Sequence, residues 1–274
     1  MGFDPHASPV WALTLCQRIV AVGIGLSSIE YVVRGRTLGD DGLMSWMVCR
    51  LRHPVFSRGR VARLLDVVYR YPNIVFAHGL RVALAASLLV APIGTTADAV
   101  LLTVTTLLSI LLLARQPYGS DGADQVSNIV LLSLTVGTLC NTRLALAAVA
   151  WFLAGQCCLA YLTAGVAKAS NPAWRSGEAL VGIFGTHMYG NPPLGRFLGD
   201  RPRLARAMGM TVVWGECLLP LMLVAPRGWL PAFLAAGFAF HLSAAFTMGL
   251  NSFLWAFPAT YPAIAWAVLV SRPW

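Results

Sequence analysis

Eight apolar segments long enough to cross a lipid bilayer as helices constrain this chain more than any other feature. A membrane-spanning helix needs about 20 mostly apolar residues, and in lipid a helix bonds its own backbone polar groups. We therefore predict an all-α fold: a polytopic transmembrane helical bundle of seven or eight spans with interfacial amphipathic helices. The segments are Val10 to Val33, Asn73 to Val90, Ala97 to Ala114, Val126 to Cys140, Leu144 to Val166, Ala207 to Val224, Trp229 to Leu250 and Ser252 to Val270.

The composition favours a single membrane-embedded domain over residues 1–274, without a separate soluble domain. Hydrophobic residues make up 57% and charged residues 11% of the chain, so its apolar surface exceeds what one soluble core covers. The net charge of +9 forms no basic stripe interleaved with exposed aromatic residues, which argues against a nucleic-acid partner. The lipid bilayer is the partner that the sequence predicts.

Two connections between the apolar segments bear on the architecture. The last two segments are separated by little more than Asn251, so they form either a tight hairpin or one broken, re-entrant element. Residues Gln116 to Gln125 are rich in proline, glycine and serine, which predicts a solvated turn before the fourth segment.

The arginines are distributed unevenly among the loops. Eight lie between Arg34 and Arg70, five lie between Arg175 and Arg206, and Arg115 joins them on the same predicted side. Because cytoplasmic loops carry an excess of positive residues, this distribution predicts a multi-pass protein of the cytoplasmic membrane with both termini outside. Lys168 then lies near the cytoplasmic interface. The segment from Arg34 to Arg70 mixes arginine with apolar residues, as expected along the headgroups.

Lys168 is the one lysine in a chain that uses arginine nineteen times. Arginine stays protonated in proteins, whereas a desolvated lysine gives up its proton readily and can act as a base or nucleophile. The alternative is an anchor that extends its charge from a helix end to the headgroups. Cys157, Tyr161, Gly165 and Lys168 share one face of a helix, and small residues beside them favour close helix contact. Lys168 is therefore predicted to face protein.

Glu216 and His241 lie midway along the sixth and seventh segments, where an unpaired charge is costly. Glu216 is either functional or paired structurally with Arg18, Arg81 or Lys168. His241 is either a proton relay or a neutral imidazole that is bonded to a backbone carbonyl. If these two residues converge on Lys168, the three provide a base, a carboxylate that tunes it and a relay.

Other chemistries lack their sequence patterns. The chain has no P-loop, no G-x-S-x-G and no H-E-x-x-H. Its six cysteines are scattered without zinc-type spacing, so we predict no metal site and interpret them as apolar packing residues.

The run from Tyr161 to Lys168, followed by Trp174 and Gly177, resembles the lysine-bearing motif of the vitamin K-dependent gamma-glutamyl carboxylases. These enzymes have bacterial relatives, the horizontally transferred transmembrane (HTTM) domain proteins. Residues 39–43, residues 119–124 and the Phe240–His241 pair with Phe253 fall in the order of that family. The resemblance covers nearly the whole chain, and its specific block is the one around Lys168.

The resemblance implies that Lys168 is the base that deprotonates a reduced quinone of the vitamin K type. Oxygenation then yields an alkoxide that removes a glutamate γ-proton, and the carbanion captures carbon dioxide. Lys168, by this resemblance, and His241 and Glu216, by their positions within apolar segments, are the catalytic candidates. Tyr161, Gly165 and Trp174 are the candidates for binding the quinone.

Two departures place the chain nearer to the small bacterial members of the family. The carboxylases have two adjacent lysines, whereas Ala167 precedes Lys168 here, and they carry a large lumenal domain that has no counterpart in this sequence. One small bacterial member is required for maturing a secreted sporulation-delaying peptide toxin. The expected partners are thus a secreted peptide substrate and a maturation partner protein. The alternative is a non-catalytic membrane scaffold, an immunity-type protein or a small transporter.

Overall fold

The computed structural model describes residues 8–42, 44–52, 56, 59–116, 120–187 and 190–271. In these residues the chain is all-α. It divides into two compact units, one formed by Leu13–Leu146 and the other by the residues up to Ala12 together with those from Ala147 onward. The prediction of a single domain stays a prediction.

Eight helices of the described residues are long and apolar enough to cross a membrane, which confirms the predicted polytopic helical bundle. They are Val10–Val33, Asn73–Val90, Thr96–Ala114, Gly122–Cys140, Arg143–Ser170, Pro202–Leu223, Arg227–Met248 and Phe253–Ser271. The last three of these spans include short 3₁₀ turns. We number the α-helices α1 (Val10–Val33), α2 (Trp46–Cys49), α3 (Gly59–Tyr69), α4 (Asn73–Val90), α5 (Thr96–Ala114), α6 (Gly122–Cys140), α7 (Arg143–Ser170), α8 (Pro172–Ser176), α9 (Glu178–Phe184), α10 (Pro192–Gly199), α11 (Pro202–Leu218), α12 (Leu230–Met248), α13 (Phe253–Ala256) and α14 (Tyr261–Ser271).

Local capping explains where the helix ends differ from the predicted ones. The side chain of Asp121 accepts a hydrogen bond from the backbone N–H of Asp124 at 2.7 Å, and this N-cap starts α6 at Gly122. The predicted turn from Gln116 to Gln125 is therefore helical in its last four residues. The C-terminal end of α7 lies at Ser170. Asn171 caps the following short helix, and Pro172 begins it.

The sixth and eighth spans are interrupted by proline. α11 ends at Leu218 and passes into a 3₁₀ turn that contains Pro220. The eighth span consists of α13, a 3₁₀ turn that begins at Pro258, and α14. Because α12 closes at Gly249 with φ of 70° and α13 begins four residues later, the seventh and eighth spans are joined by a tight connection, and the eighth is itself broken.

Arg115 forms hydrogen bonds to three separate segments of the Leu13–Leu146 unit. Its guanidinium donates to the carbonyl oxygens of Tyr69 at 3.2 Å, Leu38 at 3.3 Å and Met44 at 2.9 Å. Burial lowers the pKa of this guanidinium below its usual value. Burial also raises the pKa of the Tyr69 hydroxyl to about 12, and that hydroxyl donates to the carbonyl of Leu111 at 2.5 Å.

Helix α3 has two different faces. Ala62 and Tyr69 are buried against the unit, and Asp66 accepts a 2.5 Å hydrogen bond from the Trp46 indole. The opposite face exposes Leu64, 70% accessible, and Val67, 63% accessible, with neighbouring exposed arginines. This pattern fits the predicted amphipathic helix at a membrane surface.

In the other unit, α8, α9 and α10 pack on the first half of α11 around a small core of Leu180, Phe184, Leu198 and Ala205. Two glycines permit this contact. A Cβ on Gly177, whose φ is 90°, would lie 2.4 Å from the backbone of Ala205, and a Cβ on Gly209 would lie 2.6 Å from the carbonyl oxygen of Trp174. Consequently the segment after α7 runs antiparallel to α11 and stays close to it.

Candidate functional site

Lys168 and Glu216 form a partly buried ion pair between the last turn of α7 and the second half of α11. The Lys168 Nζ donates to the Glu216 Oε2 at 2.6 Å. The Lys168 side chain is 22% accessible and that of Glu216 is 7% accessible, so the lysine is the more exposed partner. Of the partners considered for Glu216 from sequence, the structure selects Lys168, and it orients Lys168 toward protein as predicted.

Gly165 allows α7 and α11 to approach closely enough for that ion pair. A Cβ at this position would lie 2.8 Å from both the backbone nitrogen and the sulfur of Cys217, and 3.0 Å from the carbonyl carbon of Glu216. Side chains essentially never approach backbone atoms that closely. The structure thus places Gly165, a predicted cofactor-binding residue, in a helix–helix contact.

Trp174 lies beside the ion pair. It belongs to α8, which the Asn171 side chain caps by accepting from the Ala173 N–H at 3.0 Å. The Lys168 Nζ lies 5.3 Å from the centroid of the indole ring, within the range of a cation–π interaction. Trp174 therefore stabilises the lysine in its charged form, together with Glu216.

Tyr161 joins His241 and Tyr261 in a second polar group, which is also buried. The Tyr161 hydroxyl lies 2.7 Å from the His241 Nε2 and 3.1 Å from the Tyr261 hydroxyl. Gly237 leaves room for this arrangement, since a Cβ there would lie 2.5 Å from the Tyr261 oxygen. His241 is thus bonded to a tyrosine hydroxyl and not, as one of the sequence alternatives held, to a backbone carbonyl.

Aromatic rings enclose the imidazole of His241. Phe257 stacks on it with a centroid distance of 4.5 Å and an interplanar angle of 25°, while Phe240 and Phe253 lie at 5.2 Å and 6.1 Å. The His241 side chain is 2% accessible, and its Nδ1 is buried without a hydrogen-bond partner. A buried unpaired nitrogen costs about 1–3 kcal/mol, so a bound group with a hydroxyl or carbonyl would stabilise this site.

The two polar groups occupy successive levels of one helix. Tyr161 precedes Lys168 by seven residues, which corresponds to about 10 Å along the axis of α7. The predicted convergence holds for Lys168 and Glu216, whereas His241 contacts Tyr161 at the other level.

Tyr261 was missed by sequence reasoning. It lies between Pro258 and Pro262 in the most interrupted of the spans, and the available signal was a tyrosine hydroxyl within an apolar segment, which needs a partner. None of the six cysteines is in a disulfide bond. No group of three metal-ligating side chains occurs among the residues that the structure describes.

Fold and site together define an α-helical polytopic membrane protein with an ion pair and a Tyr–His–Tyr group buried between its helices. No protein-family model, no curated protein and no solved structure matches the chain.

Proposed function

We propose that this chain is an integral membrane protein of the HTTM type in the bacterial cytoplasmic membrane, and that it modifies or matures an exported peptide by carboxylase-like chemistry. In this proposal the Lys168–Glu216 pair is the base that deprotonates a reduced quinone. The observation that carries it is the 2.6 Å contact between the lysine amine and a carboxylate whose side chain is 7% accessible.

The ion pair acts as a single acceptor of one proton. While both groups are charged, the ammonium cannot take up a proton and the carboxylate can. Transfer of the lysine proton to Glu216 leaves a neutral amine, and this amine is then the base. Glu216 thus sets which group carries the proton, and Lys168 contacts the substrate.

His241 has one unused hydrogen-bonding atom, the buried Nδ1. A quinol that bonds to this atom must displace a phenylalanine ring, because Phe257 stacks on the imidazole and Phe253 stacks on Phe257. A bound quinol would supply the oxygen-activated base that the carboxylase resemblance implies. Tyr161 would orient the imidazole through its 2.7 Å contact with Nε2, leaving Nδ1 directed at the ligand.

A non-catalytic function is the second candidate: a scaffold, an immunity-type protein or a small transporter. The 3₁₀ turn Pro258–Thr260 in the eighth span is the observation that favours the transporter, because irregular helices commonly form substrate sites in transporters. Tyr261, the first residue of α14, contacts Tyr161 beside this turn. In these functions Lys168 and Glu216 serve to hold α7 against α11.

The experiment uses the purified full-length chain in detergent, supplied in air with a reduced menaquinone-type or vitamin K-type quinol and a glutamate-containing peptide. Quinone epoxide and peptide mass are followed for the wild type, for Lys168→Arg and for the control Arg175→Lys. Arginine keeps the charge but cannot serve as a base. Epoxide formed by the wild type and the control but lost by Lys168→Arg supports the proposal.

The opposite results separate the two functions. Full epoxide formation by Lys168→Arg contradicts the role of Lys168 as base. Absence of epoxide from well-folded wild type, with every quinol and peptide offered, favours the non-catalytic function, and uptake of a labelled peptide into vesicles then distinguishes a transporter from a scaffold.

A further inference from the structure

Arg81, in the Leu13–Leu146 unit, is a buried cation without a hydrogen-bond or ion-pair partner among the residues that the structure describes. It lies midway along α4 and is 9% accessible. Its Nε is buried and has no hydrogen-bond partner. The ion pairs within 4.0 Å among the described residues are Arg50–Asp66 and Lys168–Glu216, so the guanidinium of Arg81 faces no carboxylate at contact distance.

A polar cluster built from α1, α4 and the end of α5 lies one helical turn before Arg81. His78, one turn earlier on α4, stacks on Tyr31 with a centroid distance of 4.5 Å and lies 3.5 Å from the Ser28 hydroxyl. The Tyr31 oxygen accepts a hydrogen bond from the Gln116 amide at 2.8 Å. The proton of the Tyr31 hydroxyl is not used in that bond and is available for another acceptor.

This cluster lies toward the end of the span at which α4 begins. Side chains of a helix lean toward its N-terminus, so the Arg81 guanidinium extends back toward His78 and Asn73. Arg81 follows Asn73 by eight residues, about 12 Å of helix, and an arginine side chain covers roughly half of that distance. Tyr31 and Gln116 lie near the ends of their own helices, at this same level.

An oxyanion is the chemical complement of the cluster. Arg81 presents a planar fork of N–H donors that matches phosphate in bidentate geometry, and Tyr31 has one more donor. Asp124 on α6 lies beyond ion-pair distance of Arg81. A buried cation without an adjacent anion is costly in a span, and a bound oxyanion would reduce that cost.

We propose that Arg81 and Tyr31 form a binding site for a phosphate oxyanion, supplied by the headgroup of an anionic phospholipid. The depth of the guanidinium fits this source, because a headgroup can reach it from the end of the span where α4 begins. The site is independent of the chemistry assigned to Lys168, and its occupancy would stabilise the contact between α1 and α4.

Native mass spectrometry of the full-length chain in mild detergent, titrated with phosphatidylglycerol and separately with phosphatidylcholine, tests the proposal. We expect selective binding of one phosphatidylglycerol by the wild type. Arg81→Gln should bind it about tenfold or more weakly, as expected for the loss of charge-assisted hydrogen bonds. The matched control is Arg18→Gln, an exposed arginine within span α1 of the same unit, which should bind like the wild type.

Further variants keep the test decisive if Arg81→Gln fails to fold. Tyr31→Phe retains the ring that stacks on His78 and removes only the donor, so it should bind several-fold more weakly. Thermal stabilisation by millimolar inorganic phosphate, in the wild type but not in Arg81→Gln, would identify free phosphate as an alternative source of the same oxyanion.

Two results would overturn the site. One is equal affinity for phosphatidylglycerol in the wild type, Arg81→Gln and Tyr31→Phe, with no response to phosphate. The other is that the wild type does not prefer phosphatidylglycerol but Asp124→Asn does. Asp124 would then be the group that neutralises Arg81 in the wild type.

Discussion

Gly165→Ala tests whether close contact between α7 and α11 supports the ion pair. The added methyl would lie 2.8 Å from the backbone nitrogen and sulfur of Cys217, about 1 Å closer than ordinary van der Waals contact. Backbone atoms cannot move aside independently, so the two helices must separate. Overpacking of this kind costs about 1–3 kcal/mol, and separation also lengthens the Lys168–Glu216 hydrogen bond.

Gly155→Ala on the same helix is the matched control. A Cβ at Gly155 meets nothing within 4 Å, so this variant contains only the intrinsic gain of alanine over glycine in a helix, about 0.5–1 kcal/mol. The difference in unfolding free energy between the two alanine variants therefore isolates the clash. It is measured by reversible denaturation in mixed micelles.

We expect Gly165→Ala to be less stable than Gly155→Ala by about 1–3 kcal/mol. Equal stability of the two variants would refute the argument that Gly165 is required for helix approach, and with it the assignment of Gly165 to packing. Retained epoxide formation in a destabilised Gly165→Ala would separate the packing role from the proposed chemistry.

Three further predictions concern buried polar groups. Glu216→Gln should lower the unfolding free energy by about 1–3 kcal/mol. This loss is smaller than that for a fully buried pair, because the Lys168 side chain is 22% accessible and can turn to water. A denaturation curve identical to that of the wild type would contradict this prediction. Arg115→Gln removes three hydrogen bonds to carbonyl oxygens and should lower the unfolding free energy by about 2–4 kcal/mol. It should also speed tryptic cleavage between Arg34 and Arg70, whereas the control Arg18→Gln should not. Because the folded-state pKa of Tyr69 is raised from 10.0 to about 12, its contribution to stability is complete below pH 10 and is lost as the pH rises toward 12. The unfolding free energy of Tyr69→Phe should therefore fall less between pH 10 and pH 12 than that of the wild type. Parallel curves of unfolding free energy against pH would contradict this role of Tyr69.

The spans were predictable because hydropathy is a local property of the sequence. The interior of each segment matches a helix, and the errors lie at the ends. Asp121 begins α6 earlier than hydropathy alone indicates, since its cap depends on a side-chain hydrogen bond. Pro220 and Pro258 mark the interrupted spans, but composition alone did not indicate whether proline bends or ends a helix in lipid.

The sequence was sufficient to predict which residues belong to the candidate site, but not which of them contact each other. Helical spacing placed Tyr161, Gly165 and Lys168 on one face of α7, and burial in an apolar segment singled out Glu216. Which partner Glu216 meets depends on the register between α7 and α11. That register is set by the contact of Gly165 with Cys217, and no local pattern reports it. Tyr261 was missed for the same reason, because its partner lies one hundred residues away in sequence.

The lengths of α7 and α11 determine how far the ion pair lies from water. Lys168 lies about 37 Å along α7 from Arg143, and Glu216 lies about 21 Å along α11 from Pro202. The two helices run antiparallel through this contact, and together these stretches approach twice the ~30 Å hydrocarbon thickness. The Pro202 end carries the exposed arginines Arg201, Arg203 and Arg206, which fit an end that extends beyond the hydrocarbon. With that end outside, only the part of α11 around and after Glu216 would cross the lipid, and Lys168 would lie near the headgroups. In the proposed function, a proton taken from a lipid-soluble molecule would then leave to water on the side of Lys168.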